Sequence, residues 1–238
     1  MPDFYVLELS SFQLESTESL ALRAAAVLNV SPDHLDRYAT LADYAAAKAR
    51  IFRNCEHAIV NLDDPVVAAM VPADRRRRGF SIVPGRQAEF GLWRATNGEL
   101  WLARSGEPRL ALREMKLSGL HNAANALAAL ALASAADIEE SAAVSVLRTF
   151  TGLPHRMQWV GERRGVRWID DSEGYERRRD DRSRQRHDRA AGLIAGGDGK
   201  GQDFKPLAAA FRGKGTSCGA DRPRCAVARQ RTAGGMPD

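Results

Sequence analysis

A chain of 238 residues with 44% hydrophobic and 27% charged content can bury a sizeable core, in one large domain or two small ones. No apolar run approaches the roughly 20 residues that span a bilayer, Met1-Pro2-Asp3 opens no secretory signal, and three cysteines (Cys55, Cys218, Cys225) make neither a disulfide framework nor a zinc quartet, so a cytoplasmic protein with no membrane partner is expected. The net charge of +5 does not indicate nucleic acid: residues 175–189 carry an arginine surplus of three and residues 216–238 a surplus of two, which leaves the remainder balanced and no basic folded face with interleaved aromatics.

In chain order, Phe4–Leu9 is a β-branched and aromatic run that predicts a strand delivering one carboxylate, Glu8, near its end, with Ser10, Ser11 and Gln13 directly after it. Thr17–Ala24 predicts a short helix and Ala25–Val30 a second buried strand, followed by the polar loop Ser31–Tyr38, where ligands bind in open α/β sheets. Thr40-Leu41-Ala42-Asp43 has capping-box spacing, with Asp in place of the usual Glu, and opens a helix through Phe52. Ala58–Asn61 predicts a third strand, then the turn Leu62-Asp63-Asp64-Pro65 and a short helix. This alternation argues for a mostly parallel sheet.

Residues 79–114 are short runs separated by Pro-Gly, Asn-Gly and Ser-Gly turns, the pattern of antiparallel strands. Two helices follow, His121–Ala135 and Ile138–Phe150; Asn122 and Asn125 lie three apart on the first, on one face. Thr151–Arg156 breaks the pattern and marks a domain boundary. Strands are expected at Met157–Val160 and Val166–Ile169, ending in Asp170-Asp171-Ser172, and at Ala191–Ala195, followed by the glycine-rich turn Gly196–Lys200. Residues 173–189 have no hydrophobic period and read as a solvated charge run, and residues 216–238 carry no core pattern.

Three kinds of residue in this layout bear on chemistry. Glu8 and His34, a carboxylate and an imidazole near strand ends, make a divalent-metal pair; Lys48 joins them only if its amine is carbamylated, since an ammonium has no lone pair. Without further context Lys48 reads rather as a surface lysine on an Ala-rich helix, and His34 as a loop histidine bonded to its own backbone. Arg156 has the planar fork that suits phosphate, Asp171 sits where a ribose hydroxyl can be held, and Lys200 follows backbone N–H groups that can face a carboxylate or phosphate. Asn122 and Asn125 can meet a nucleobase or simply pack.

Taken in order, Leu7–Glu15, Asn29–Tyr38, Tyr44–Phe52, Met115–Leu132, Phe150–Arg156, Arg167–Ser172 and Leu193–Phe204 resemble the Mur ligases of bacterial peptidoglycan synthesis, and Glu8–Leu14 resembles their D-glutamate-adding branch. The resemblance covers residues 1–172 and about 190–213. It implies an α/β chain with part of a central ATP-binding domain over residues 1–154 and part of a Rossmann-like C-terminal domain over 155–215, the latter with an anomalous 173–189 and an out-of-frame, disordered tail at 216–238. It also implies a monomeric ATP-dependent amide ligase whose small-molecule substrates are UDP-N-acetylmuramoyl-L-alanine and D-glutamate, joined through an acyl phosphate. Under it, Glu8, His34 and carbamylated Lys48 hold Mg²⁺, His34 and Lys48 serve catalysis, Asn122, Asn125, Arg156 and Asp171 hold ATP, and Ser172 and Lys200 meet substrate. A sister Mur ligase, a folylpolyglutamate synthetase and a non-catalytic remnant are the alternatives.

Two departures qualify the implied activity. Family members carry a uridine-nucleotide domain and a Gly-Lys-Ser/Thr phosphate loop ahead of the strand that bears Glu8, and this sequence contains neither, so the isolated chain is expected not to turn over. Where the family has a Lys-Ala-Thr-Asn-like run after Asp171-Ser172, this chain reads Glu173-Gly174-Tyr175-Glu176. Codons for Glu173–Arg182 can be chosen so that dropping one G yields Lys-Ala-Thr-Asn-Val-Gly-Ala-Thr-Ile, a helix-opening sequence of the expected kind. Residues 173–189 and 216–238 are therefore expected to be frameshift products. Resequencing across codon 173 tests this, and an uninterrupted gene with no restoring frame would refute it.

Overall fold

The structure, a computed structural model, describes residues 2–34, 36–72, 75–156, 158–163, 166–170, 193–195 and 218–220. They fall into two compact units, Met1–Pro32 with Tyr38–Gly152, and Asp33–Arg37 with Leu153–Asp238.

The first unit is built on a six-stranded sheet in sequence order: β1 (Leu22–Val27), β2 (Cys55–Asn61), β3 (Arg77–Ser81), β4 (Phe90–Arg94), β5 (Leu100–Arg104) and β6 (Glu107–Ala111). The pairs β1–β2, β2–β3 and β3–β4 are parallel, while β4–β5 and β5–β6 are antiparallel. The mostly parallel expectation holds. The expectation that Phe80 begins the antiparallel part is corrected: β3 pairs parallel with both neighbours, and its junction with β4 is only Phe80↔Phe90 and Ser81↔Gly91. The Pro84-Gly85 turn thus lies in a connection between parallel strands rather than in a hairpin.

Helices form where the sequence supplies caps. In α2 (Leu41–Ala49), Thr40 accepts from the Asp43 backbone N–H and the Asp43 carboxylate accepts from Thr40 N, so the capping box is present; one 3₁₀ turn (Arg50–Phe52) continues it. Asp64 caps α3 (Pro65–Ala69), with proline at the first helical position, where its missing N–H is no loss. The 16-residue α4 (Leu120–Ala135) and the shorter α5 (Glu140–Thr149) match the two expected helices within two residues at each end.

The period-two alternation of β2 explains the layering. Ile59 points to a cluster with Phe80, Phe90, Leu92, Leu102 and Leu110 that α4 covers with Ala123, Leu127 and Ala131. Ala58 and Val60 point the other way, to Ala25, Val27, Phe52, Val67 and Val71. A strand buried on both faces reads as an unbroken apolar run, as Ala58-Ile59-Val60 does.

Two further expectations are corrected. Phe4–Leu9 is not a strand: it runs without a ladder partner, with Val6 96% and Tyr5 71% exposed. A strand exists only through its hydrogen-bonded neighbour, and β1, the edge of the sheet, does not pair with this segment. The run leads instead into α1 (Ser11–Glu15), capped reciprocally by Ser10 and Gln13. Thr17–Ala24 is not a helix, and the strand expected at Ala25–Val30 begins three residues earlier, at Leu22. Arg23 interrupts the apolar pattern there, yet it belongs to the edge strand and reaches outward, pairing with Glu56 at 2.7 Å and with Asp137, and donating to the Ala135 carbonyl at 3.1 Å at the end of α4. Arg78 joins the same helix end through Ser134 Oγ at 2.7 Å. Cations at a helix C-terminus oppose its partial negative charge.

This arginine surround acts on His57 in β2. Burial, and then the Arg78, Arg76 and Arg23 guanidiniums, hold its imidazole below the ordinary histidine range. Because the folded value lies below the unfolded one, the unfolded chain takes up the proton first as pH falls. The contribution to stability is complete above about pH 6.5 and is lost as pH drops through the folded value. Urea midpoints of His57→Gln should therefore fall less steeply than those of the unsubstituted chain below about pH 6.5; parallel pH profiles would contradict the assignment.

The second unit contains the antiparallel pair β7 (Gln158–Arg163) and β8 (Val166–Asp170), close to the expected strands, and a parallel pair β9 (Leu193–Ala195) and β10 (Cys218–Ala220). The last of these lies within the stretch read as a disordered tail, so at these three residues the expectation of no order is replaced by a strand.

Candidate functional site

The loops after β1 and β2 are stitched together by two adjacent aspartates. Asp64 Oδ1 accepts from Val66 N at 2.9 Å and Val67 N at 3.1 Å, capping α3, while Oδ2 accepts from Val30 N at 2.9 Å in the loop after β1. Asp63 accepts from Ser81 Oγ at 2.7 Å and Ile82 N at 2.6 Å, and pairs with Arg86 at 3.1 Å, tying β2 to the end of β3. Asn61 Nδ2 donates to the Leu28 carbonyl at 2.7 Å. The C-terminal ends of three parallel strands are thus fixed to one another by side chains rather than by the ladder alone. Asp64→Ala removes the cap and leaves Val30 N without its acceptor, so a loss of about 2 kcal/mol in urea unfolding is expected, with Asp64→Asn costing less; equal losses for the two would contradict this account.

Beside these strand ends α1 packs on α2 through an aromatic relay. Phe12 stacks on Tyr38 with ring centroids 6.1 Å apart, Tyr38 meets Tyr44 at 5.3 Å, and the Lys48 ammonium lies 5.1 Å from the Tyr44 centroid. Tyr38 Oη donates to Glu15 at 2.7 Å, and Arg50 donates to the Leu14 carbonyl at 2.7 Å and the Thr17 carbonyl at 3.2 Å. Lys48 is therefore half-buried on a helix whose orientation is set by the segment that Glu8 leads into. Glu8 itself is exposed, two residues ahead of the Ser10 cap. At the other end of β2, burial raises the pKa of the Cys55 thiol, so this cysteine is suited to packing rather than nucleophilic work.

The remaining expected residues take these positions. His34 belongs to the second unit; its backbone is left-handed (φ 52°), its N–H donates to Asp33 Oδ1 at 2.8 Å, and its Nε2 lies 3.1 Å from Asp33 Oδ2, with Asp33 buried. Asn122, half-buried in the first turn of α4, donates to the Ser118 carbonyl at 2.8 Å, and Asn125 is exposed one turn on. Arg156 follows a turn closed by its own N–H to the Leu153 carbonyl at 3.3 Å. Asp171, Ser172 and Lys200 lie outside the described residues, as do residues 173–189. Glu8, Lys48, Asn122 and Asn125 thus share the first unit, while His34 and Arg156 are in the second. Among the described residues no group of three or more His, Cys, Asp and Glu is placed to hold a metal. By chemistry alone, a carboxylate oxygen and an imidazole nitrogen are donors that Mg²⁺ accepts, and a lysine is one only as its carbamate. The sequence did not reveal Asp63, Tyr38 or Tyr44 as organisers of this region, although Asp64 directly before Pro65 is a legible helix cap.

Comparison with known proteins agrees with the fold. The Mur ligase middle domain model matches residues 1–133. A UDP-N-acetylmuramoylalanine--D-glutamate ligase of Methylobacillus flagellatus is 49% identical over 208 residues, 87% of this chain and 46% of that protein. A protein of the same description from Nitrosospira multiformis is 47% identical over 234 residues, 96% of this chain and 49% of that protein. The chain spans about half the length of the curated relatives it matches. In structure it resembles MurF from Acinetobacter baumannii, with a TM-score of 0.60, 21% identity, and coverage of 75% of this chain and 40% of that one. The fold, the order of its motifs and a family match over more than half of its length agree, and the chain belongs to the Mur ligase family.

Proposed function

We propose that this chain supplies the middle-domain part of an ATP-dependent amide ligase of peptidoglycan precursor synthesis. That ligase joins D-glutamate to UDP-N-acetylmuramoyl-L-alanine through an acyl phosphate in the cytoplasm and works as a monomer. The observation that carries the reading is 47–49% identity across most of the chain to proteins described as D-glutamate ligases, with Glu8, His34, Lys48 and Arg156 in the family's order. Residues 1–154 are read as part of the ATP-binding domain and 155–215 as part of the C-terminal domain.

Glu8, His34 and carbamylated Lys48 would hold Mg²⁺, which when bound offsets the charge between a phosphoryl donor and a carboxylate acceptor that otherwise repel. Asn122, Asn125, Arg156 and Asp171 would hold ATP, and Ser172 and Lys200 the amino-acid substrate. The chain's own contribution is orientation. The tie of α1 to α2 through Tyr38, Tyr44 and Arg50 sets Lys48, and the Asp63 and Asp64 stitches hold the strand-end loops.

One observation favours a second reading, in which the isolated chain is a non-catalytic remnant: the segment bearing Glu8 is unpaired and exposed. ADP release from ATP by the purified chain, with both substrates and Mg²⁺, tests the remnant reading. Background rates are expected, and robust D-glutamate-dependent release would overturn the remnant reading.

A further inference from the structure

His155 is held in a way that neither the packing nor the proposed ligand set requires. Its backbone is left-handed (φ 61°), a conformation uncommon outside glycine that local contacts can hold. Two contacts do so, and both come from one cross-strand pair. Gln158 and Asp170 face each other at the end of the β7–β8 ladder. Gln158 Oε1 accepts from His155 N at 3.0 Å, and Asp170 Oδ2 lies 2.7 Å from His155 Nδ1. An ionised carboxylate only accepts, so Nδ1–H donates, and the hairpin end grips the residue by backbone and ring together. Arg156 is next in the chain, its N–H closing the same turn on the Leu153 carbonyl. His155 is 68% exposed and Asp170 41% exposed, so the pair buries little and its effect is on the geometry of the turn.

We propose that His155 and Asp170 form a latch that fixes the Leu153–Arg156 turn and thereby presents the Arg156 guanidinium to the phosphates of a nucleotide. Both are positioning residues. The proposal rests on the reading of Arg156 as a nucleotide-phosphate ligand and deepens it: a planar fork pairs with phosphate oxygens only if its backbone is held in register.

Trypsin cleavage after Arg156 in the full chain, timed by mass spectrometry with and without millimolar Mg·ATP, reads both the order of the turn and its engagement. His155→Ala and Asp170→Ala should each speed cleavage after Arg156 by about tenfold without ATP. Both should also weaken the saturable protection by Mg·ATP by about tenfold. His155→Asn, whose amide nitrogen can take the place of Nδ1, should restore both. Arg156→Lys remains cleavable but lacks the fork; it should lose protection, and adding His155→Ala to it should weaken protection no further. Additive losses, or faster cleavage with protection unchanged, would overturn the positioning role. Unchanged cleavage would overturn the latch. Absence of any Mg·ATP protection in the unsubstituted chain would overturn the nucleotide reading of Arg156 and the positioning role with it, and the ATP-free cleavage rates would still decide the latch.

Discussion

Leu127→Ala is expected to cost the first unit about 3–5 kcal/mol in urea unfolding, a large share of a typical domain's stability. Leu127 is fully buried at the centre of α4, in the cluster that joins this helix to Ile59, Phe80, Leu102 and Leu110 from four strands. Apart from Leu130, its neighbours on the helix are small, Ala123, Ala126, Ala128 and Ala131, and these cannot collapse into the space that truncation opens. Leu127→Met keeps most of the volume and should cost under about 1.5 kcal/mol. Exposed positions on the same helix, such as Ala129, should tolerate polar substitution. A Leu127→Ala chain as stable as the parent would mean that α4 does not cover the sheet in this way.

The second large effect is expected at Lys48. In an active ligase carrying this chain's residues, Lys48→Ala should lower ADP release about 10²–10³-fold, the scale seen when one preorganised electrostatic group is removed. Tyr44→Leu keeps apolar bulk under α2 but removes one ring of the Phe12–Tyr38–Tyr44 relay that orients Lys48, so it should lower the rate by a smaller factor. Lys48→Ala should leave the urea midpoint nearly unchanged, because a half-buried amine over an aromatic ring contributes only about 0.5–1 kcal/mol. A loss of rate matched by a loss of stability would assign Lys48 to packing instead.

What the sequence made legible follows from where the forces act. The capping box at Thr40 and Asp43 and the apolar run Ala58-Ile59-Val60 are local signals with local causes, and both appear as expected. Phe4–Leu9 has equally strong strand composition but no neighbour to pair with, and composition does not supply a partner. The start of β1 was hidden by Arg23, because an edge strand accepts a cation that a central strand would exclude. For the proposed ligands, residue types and order in the sequence pointed to Glu8, His34, Lys48 and Arg156. The supports around them, Tyr38 between α1 and α2, Asp63 between β2 and β3, and Asp170 against His155, join residues 15 or more apart along the chain and leave no local signature.

The function proposed above turns on residues 4–154 supplying the middle-domain part of a D-glutamate-adding ligase. Grafting them in place of the matching stretch of the Methylobacillus flagellatus relative, and measuring ADP release with UDP-N-acetylmuramoyl-L-alanine, tests it most directly. The predicted result is release that depends on D-glutamate and collapses in the Lys48→Ala and Glu8→Gln grafts. A folded graft that releases no ADP, or one indifferent to both substitutions, would contradict the claim.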